Sequence, residues 1–118
     1  MSLSETAKKN FERVTQFATP TSISPETAAS MEFVFGKVWS GTHLSWREKR
    51  LISLTCTAIV GNQMPLETHI RGALKSGDLS LDDLREFGLH LSVYGGFPVA
   101  APLDGVFGKI AAEMPGKK

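Results

Sequence analysis

His69 stands two residues before Arg71, in the pattern His-x-Arg. An imidazole moves protons near neutral pH because its unperturbed pKa lies close to neutrality. A guanidinium grips a carboxylate through two parallel hydrogen bonds. Together the two side chains suit proton chemistry on a small organic anion; the alternative for His69 is a hydrogen-bonded histidine of the core. Two residues along a helix turn roughly 200°, so Arg71 points away from His69. It serves either a neighbouring subunit's site or an ion pair with an acid. Arg47 and Arg50 are three apart and share a face of one helix. Either one of them faces a pocket and binds a carboxylate, or the two form a solvated basic turn. Tyr94, beside Gly95-Gly96, brings its hydroxyl to a pocket or packs with that hydroxyl satisfied.

Other reactive side chains have simpler readings. Glu48 is three residues after Ser45, the spacing of a capping box. Glu67 reads as exposed. Cys56 lies in a charge-free stretch and reads as a small core residue. His43 and His90 have no ligand spacing with another histidine or acid, so no metal site is expected. Trp39, Trp46 and the phenylalanines read as core or subunit contact. Gly95-Gly96 reads as a helix break, not a phosphate loop.

The elements that position these residues belong to one domain of 118 residues. A chain of this size buries roughly two thirds of the surface that its unfolded form exposes. Hydrophobic residues make up 42% and charged residues 21%, which suits a globular protein and not a disordered one. The net charge of +1 leaves no footprint for nucleic acid or an anionic membrane. Lys117-Lys118 is too short to change that and reads as a frayed tail. A single cysteine makes no internal disulfide and fits a reducing compartment. The polar N-terminus does not read as a secretory signal, and the stretch from Leu51 to Val60 is too short to span a bilayer. The expectation is a cytoplasmic protein.

Capping signals divide the chain into about six helices. Ser4 caps a helix to about Phe17, with Phe11, Val14 and Phe17 on one face. Ser24-Pro25-Glu26 starts a second helix, which carries Phe33, Phe35, Val38 and Trp39 and ends at Ser40-Gly41. Ser45 opens a third helix. It is charged at first, then charge-free from Leu51, and reads as buried on most sides. Gly61-Asn62 breaks it. Pro65 sits in the first turn of a fourth helix, which carries His69 and closes at Gly77. Ser80-Leu81-Asp82-Asp83 starts a fifth helix running to Tyr94. A last helix follows Pro98 and reaches about Glu113. No segment alternates with period two, so the fold class is all-α. Gly36, Gly72, Gly88, Gly105 and Gly108 fall within helical stretches. Each costs about 1 kcal/mol relative to alanine, and either close backbone approach or local tolerance accounts for them. Residues 1–23 read as an N-terminal helical arm and residues 24–114 as the domain proper.

Three stretches carry a family resemblance. The first is Phe35-Gly36-Lys37-Val38-Trp39-Ser40 with Leu44-Ser45-Trp46-Arg47-Glu48-Lys49-Arg50-Leu51-Ile52. The second is Gly61-Asn62 through Leu66, then His69-Ile70-Arg71-Gly72-Ala73-Leu74 and Gly77. The third is Val93-Tyr94-Gly95-Gly96-Phe97-Pro98-Val99-Ala100-Ala101. In order and spacing the chain resembles the carboxymuconolactone decarboxylase family, within the AhpD-like superfamily. The resemblance implies a single-domain helical bundle assembling into a ring, a homo-oligomer such as a hexamer or trimer.

The family's thiol peroxidase branch carries a Cys-x-x-Cys pair where this chain has Asn62 and Pro65, and a glutamate where it has Arg50. A two-thiol exchange needs an attacking and a resolving sulfur, so peroxidase chemistry is not expected. His69 and Arg71 match the decarboxylase branch. That branch implies a cofactor-independent lyase of aromatic-compound catabolism, acting on a small anionic lactone such as 4-carboxymuconolactone. The conjugated lactone is its own electron sink. The protein need only hold the anion, stabilise charge on the lactone oxygen and deliver a proton. This reading places His69, Arg50 and Arg71 in the catalytic set, His69 as proton donor and an arginine as carboxylate anchor. Arg47, Tyr94 and Asn62 are the expected substrate contacts. The same pocket would serve an isomerase or dehydratase acting on another carbonyl compound. A non-catalytic ring that binds a ligand or scaffolds a partner is the third reading.

Overall fold

The computed structural model describes residues 3–114, so Lys117-Lys118 lies outside the described residues. Among those described, the secondary structure is entirely helical. Six helices are seven residues or longer: α1 (Glu5–Thr15), α2 (Pro25–Met31), α3 (Trp46–Val60), α4 (Gln63–Ser76), α5 (Leu81–Tyr94) and α7 (Leu103–Ala112). The short α6 (Phe97–Ala100) lies before α7.

The ends of these helices arise from their capping chemistry. Ser4 Oγ accepts from the Ala7 amide, Ser24 Oγ from Thr27, Ser45 Oγ from Glu48 and Ser80 Oγ from Asp83. At α3 and α5 the acid at the third position also reaches back to the cap amide, Glu48 to Ser45 at 2.7 Å and Asp83 to Ser80 at 2.9 Å. Both are complete capping boxes. Gly77 ends α4 with φ +82°, a left-handed backbone that glycine adopts without a Cβ penalty. The helix after Pro98 is not continuous. Pro102 lacks an amide hydrogen, and α7 begins after it.

The main core is apolar and lies between α3, α4, α5 and α7. Leu54, Ile70, Leu84, Phe107 and Ile110 are fully buried there. Each such side chain contributes about 1.5–3 kcal/mol relative to exposure. A smaller cluster of Leu3, Ala7 and Ala28 joins α1 to α2. Between the two clusters α1 lies against α4. A Cβ on Gly72 would fall 2.0 Å from the Val14 carbonyl oxygen and 2.8 Å from Arg50 Nη1. Close backbone approach therefore explains this glycine.

Three expectations are corrected by the packing. α3 is not buried on most sides: Arg50, Leu54 and Ala58 face inward at four-residue spacing, while Ile52, Ile59 and Val60 are exposed. Cys56 lies on that outer stripe and is exposed rather than in the core. The second helix also does not continue regularly to Trp39. After Met31 it widens into a π turn (Glu32–Lys37) and tightens into a 3₁₀ turn (Val38–Ser40). The extra residue of the π turn rotates the downstream side chains by about 100° relative to a regular helix. Phe33 and Val38 are left exposed and Trp39 is buried.

Candidate functional site

Trp39 organises the region around His69. Its position is held through the backbone: Lys49 Nζ donates to the Trp39 carbonyl at 3.0 Å, and Asn10 Nδ2 donates to the Phe35 carbonyl and to Ser40 Oγ. The His69 ring, on α4, stacks against Trp39 with centroids 6.1 Å apart and planes 17° from parallel. Trp39 in turn meets Trp46 at 5.0 Å. The Arg13 guanidinium closes the far side, 4.0 Å from the Trp46 centroid. The result is a continuous stack from α4 through the 3₁₀ turn and α3 to α1.

Arg50 lies beside this stack, with Cζ 5.7 Å from the Trp39 centroid and 5.9 Å from that of Trp46. Its side chain is 0% exposed. All three guanidinium nitrogens have partners. Nε donates to Asp78 Oδ2 at 3.1 Å, Nη1 to the Val14 carbonyl at 2.7 Å and Nη2 to the Arg13 carbonyl at 2.8 Å. The two carbonyls belong to the last turn of α1, which carries partial negative charge. Asp78 also accepts from Arg13 at 2.6 Å. Burial works to raise the pKa of Asp78, but hydrogen bonds from Arg13, Ser76 and Arg50 outweigh it and leave the pKa lowered. Arg50 is thus a clamp between α1, α3 and the α4–α5 loop, and its donors are committed within the subunit.

His69 is half-buried, and its Nδ1 is sealed from solvent with no hydrogen-bond partner among the described residues. Its pKa is pushed down to about 4, first by burial and then by the charge of Arg50. The ring is therefore neutral at physiological pH. Leaving a buried polar atom unpaired costs about 1–3 kcal/mol, so the unpaired Nδ1 calls for an explanation. The other expected residues lie elsewhere. Arg71 donates from Nη2 to Glu113 at 3.1 Å. Asn62 caps α4 two turns before His69, exposed and with no side-chain bond to the helix. Arg47 and Tyr94 line a separate cleft of about 330 Å³ between α3 and α5. His69 lines neither that cleft nor the two smaller ones, between α5 and α6–α7 and around the α4–α5 loop.

The Carboxymuconolactone decarboxylase family matches residues 25–103. The chain belongs to that family. It is also 31% identical over 68 residues to the 4-carboxymuconolactone decarboxylase of Acinetobacter baylyi (strain ATCC 33305 / BD413 / ADP1). That match covers 58% of this chain and 50% of the relative, so the chain spans about half the length of the curated relative it matches. No solved structure matches the chain.

The segment common to the carboxymuconolactone decarboxylase family contains His69, Arg50 and Trp39 but not α1. Yet α1 supplies both carbonyls that hold Arg50 and the cation that covers Trp46. Sequence reasoning missed Trp39 as the ring partner of His69, and Asp78 and Arg13 as partners of the clamp. No local signal marks Trp39 for that role, because the π turn alone brings it inward. Asp78 had a weak signal: an acid directly after the helix-ending Gly77. Among the described residues, no cluster of three or more His, Cys, Asp or Glu side chains has the arrangement of a metal site. No described helix is long and apolar enough to cross a membrane.

Proposed function

We propose that the protein is a cofactor-independent, decarboxylase-like lyase acting on a small anionic lactone such as 4-carboxymuconolactone, with His69 as proton donor. The single observation that carries this reading is the unpartnered, sealed Nδ1 of His69 beside a buried guanidinium, in a chain of this family. A hydrogen on Nδ1 would be a buried donor without an acceptor, within the field of the Arg50 charge. The lone pair belongs there instead, and the hydrogen sits on Nε2. In the reaction the carbon–carboxylate bond breaks and its electron pair moves into the conjugated lactone. Charge grows on the lactone oxygen, which accepts a hydrogen bond from Nε2–H. Nε2 passes its proton to that oxygen, carbon then takes a proton from solvent, and the oxygen returns its own to Nε2, so the ring ends neutral as it began. A neutral donor stacked on the Trp39 ring would do this with little reorganisation at the moment of bond cleavage.

The carboxylate anchor is Arg71. Arg50 has no donor nitrogen without a partner, and Arg47 holds Asp83 with two hydrogen bonds. Arg71 has one bond of 3.1 Å, to a Glu113 side chain that is 46% exposed, and so is the easiest of the three to redirect. It points away from the His69 of its own helix, and therefore serves His69 of a second copy within a homo-oligomer. The exposed Ile52, Ile59, Val60 and Met64 supply apolar surface for such an assembly. The cytoplasmic location expected from the single cysteine belongs to the same proposal.

The test is carbon dioxide release from 4-carboxymuconolactone by the full chain without added cofactor. His69→Ala is expected to lower the rate at least a hundredfold, within the range of about 10²–10⁴ for positioned acid–base groups. His69→Ala and Arg71→Ala chains, each inactive alone, should recover part of the activity when unfolded and refolded together. No recovery would place the anchor within one subunit. The commitment of every Arg50 nitrogen within the subunit favours a second reading, a non-catalytic ring. Absence of carbon dioxide release or of any proton exchange on the lactone would select it.

A further inference from the structure

The α3–α5 cleft has its own chemistry, independent of His69. Its floor is apolar: Leu91 is buried, and Leu51 and Phe87 are partly buried against the main core. One end is closed by the two hydrogen bonds from Arg47 to Asp83, at 2.7 and 3.1 Å. At the other end His90 and Tyr94 stack, with centroids 5.0 Å apart and planes 27° from parallel. Tyr94 is 81% exposed, so most of the ring is left bare. Glu86 lies on the same face of α5, one turn from His90. Its carboxylate makes no hydrogen bond or ion pair with any described residue, although its charge acts on Arg47.

Charge and shape together select a class of ligand. One guanidinium faces two carboxylates, so the lining has one negative charge in excess. Asp83 is occupied by Arg47 and by its own cap amide, which leaves Glu86 to act as a counter-ion. Bare aromatic faces attract cations through their quadrupole, and the leucine–phenylalanine floor accepts an apolar body. A volume of about 330 Å³ is at the lower end of the range typical of small-molecule sites. We propose that this cleft binds a small organic ammonium ion with an aromatic or aliphatic body, its charge against Glu86 and its body between Leu51, Phe87 and the His90–Tyr94 stack.

The assignment separates the cleft from the anion chemistry proposed for His69, and the two stand or fall independently. The test is calorimetric titration of the full chain with 2-phenylethylammonium, alongside phenylacetate and 2-phenylethanol, which share its ring but carry a negative charge or none. Saturable binding is expected for the ammonium ion, at least fivefold tighter than for the alcohol, with none for the carboxylate. Glu86→Gln should weaken ammonium binding at least fivefold without changing the melting temperature. Leu51→Trp, which fills the floor, should abolish it. The proposal is overturned if phenylacetate binds as well as or better than the ammonium ion, since that would make Arg47 the recognition element. It is equally overturned if Glu86→Gln binds unchanged, or if no ligand gives a saturable signal.

Discussion

Arg50 and Arg47 are three residues apart on α3, each paired with an aspartate, and they behave in opposite ways. The Arg50–Asp78 side chains are 0% and 7% exposed, the Arg47–Asp83 side chains 52% and 30%. Burial pulls the pKa of Arg50 down, whereas hydrogen bonding to Asp83 pushes that of Arg47 up. The first pair sits where three segments converge and has two backbone carbonyls and two tryptophan rings around it. The second spans an open cleft. The same chemical pair is therefore a clamp in one place and a replaceable wall in the other. Desolvation, not distance, separates them, since both pairs have hydrogen bonds of ordinary length.

The largest expected effect comes from breaking the clamp. Arg50→Met would leave two carbonyls of α1 and a nearly buried Asp78 short of partners. Removing one member of a buried pair costs about 3–5 kcal/mol, so denaturant unfolding should show a loss of that order. Loss of the buried charge should also raise the pKa of His69, readable by NMR titration of the ring. A loss below about 1 kcal/mol would show that the clamp contributes no more than a surface pair does.

A smaller effect lies in the pH dependence of stability. The pKa of His69 is lower folded than unfolded, so unfolding takes up a proton between about pH 6.5 and about 4. The sign is destabilisation as the pH falls through that window. His69→Gln should remove up to one proton from the uptake measured between pH 7 and 5. The carboxylates with lowered pKa, Glu12, Glu32, Glu48, Asp78 and Asp83, lose their contributions at lower pH still, as the pH falls from their ordinary values near 4 through the lowered ones. An unchanged uptake in the variant would mean that the ring is not desolvated.

The smallest effects belong to α5, at its cap and along the open cleft. Ser80→Ala removes the cap that fixes the start of α5 and should cost about 1 kcal/mol. Tyr94→Ser changes an exposed ring and should stay within about 0.5 kcal/mol of the parent. A loss from Tyr94→Ser matching that from Arg50→Met would erase the distinction between the two regions, and would indicate that the cleft is covered in the assembled protein.

Local chemistry made much of the fold readable from the chain. The serine caps at 4, 24, 45 and 80 and the glycine at 77 act within a few residues of themselves, so their signals lie in short windows. Features set by distant contacts were not legible. Arginine normally marks a solvated surface, and nothing near Arg50 announces that the end of α1, some thirty-six residues earlier, will enclose it. The outward stripe of α3 with Cys56 had no charge to reveal it. Glu32, which opens the π turn that delivers Trp39 to His69, is held by the distant Ser4, at 2.9 Å from the amide and 2.7 Å from the hydroxyl. His69 itself was found by its place in the family resemblance, but its surroundings were not.

The central claim is that His69 works as a neutral donor, and the pH dependence of kcat/KM for carbon dioxide release tests it most directly. A neutral donor predicts a rate that is flat from about pH 5.5 to 8, because the ring titrates near 4. A rate that falls tenfold per pH unit above about 6.5 would show an imidazolium of ordinary pKa as the acid, and would contradict the claim.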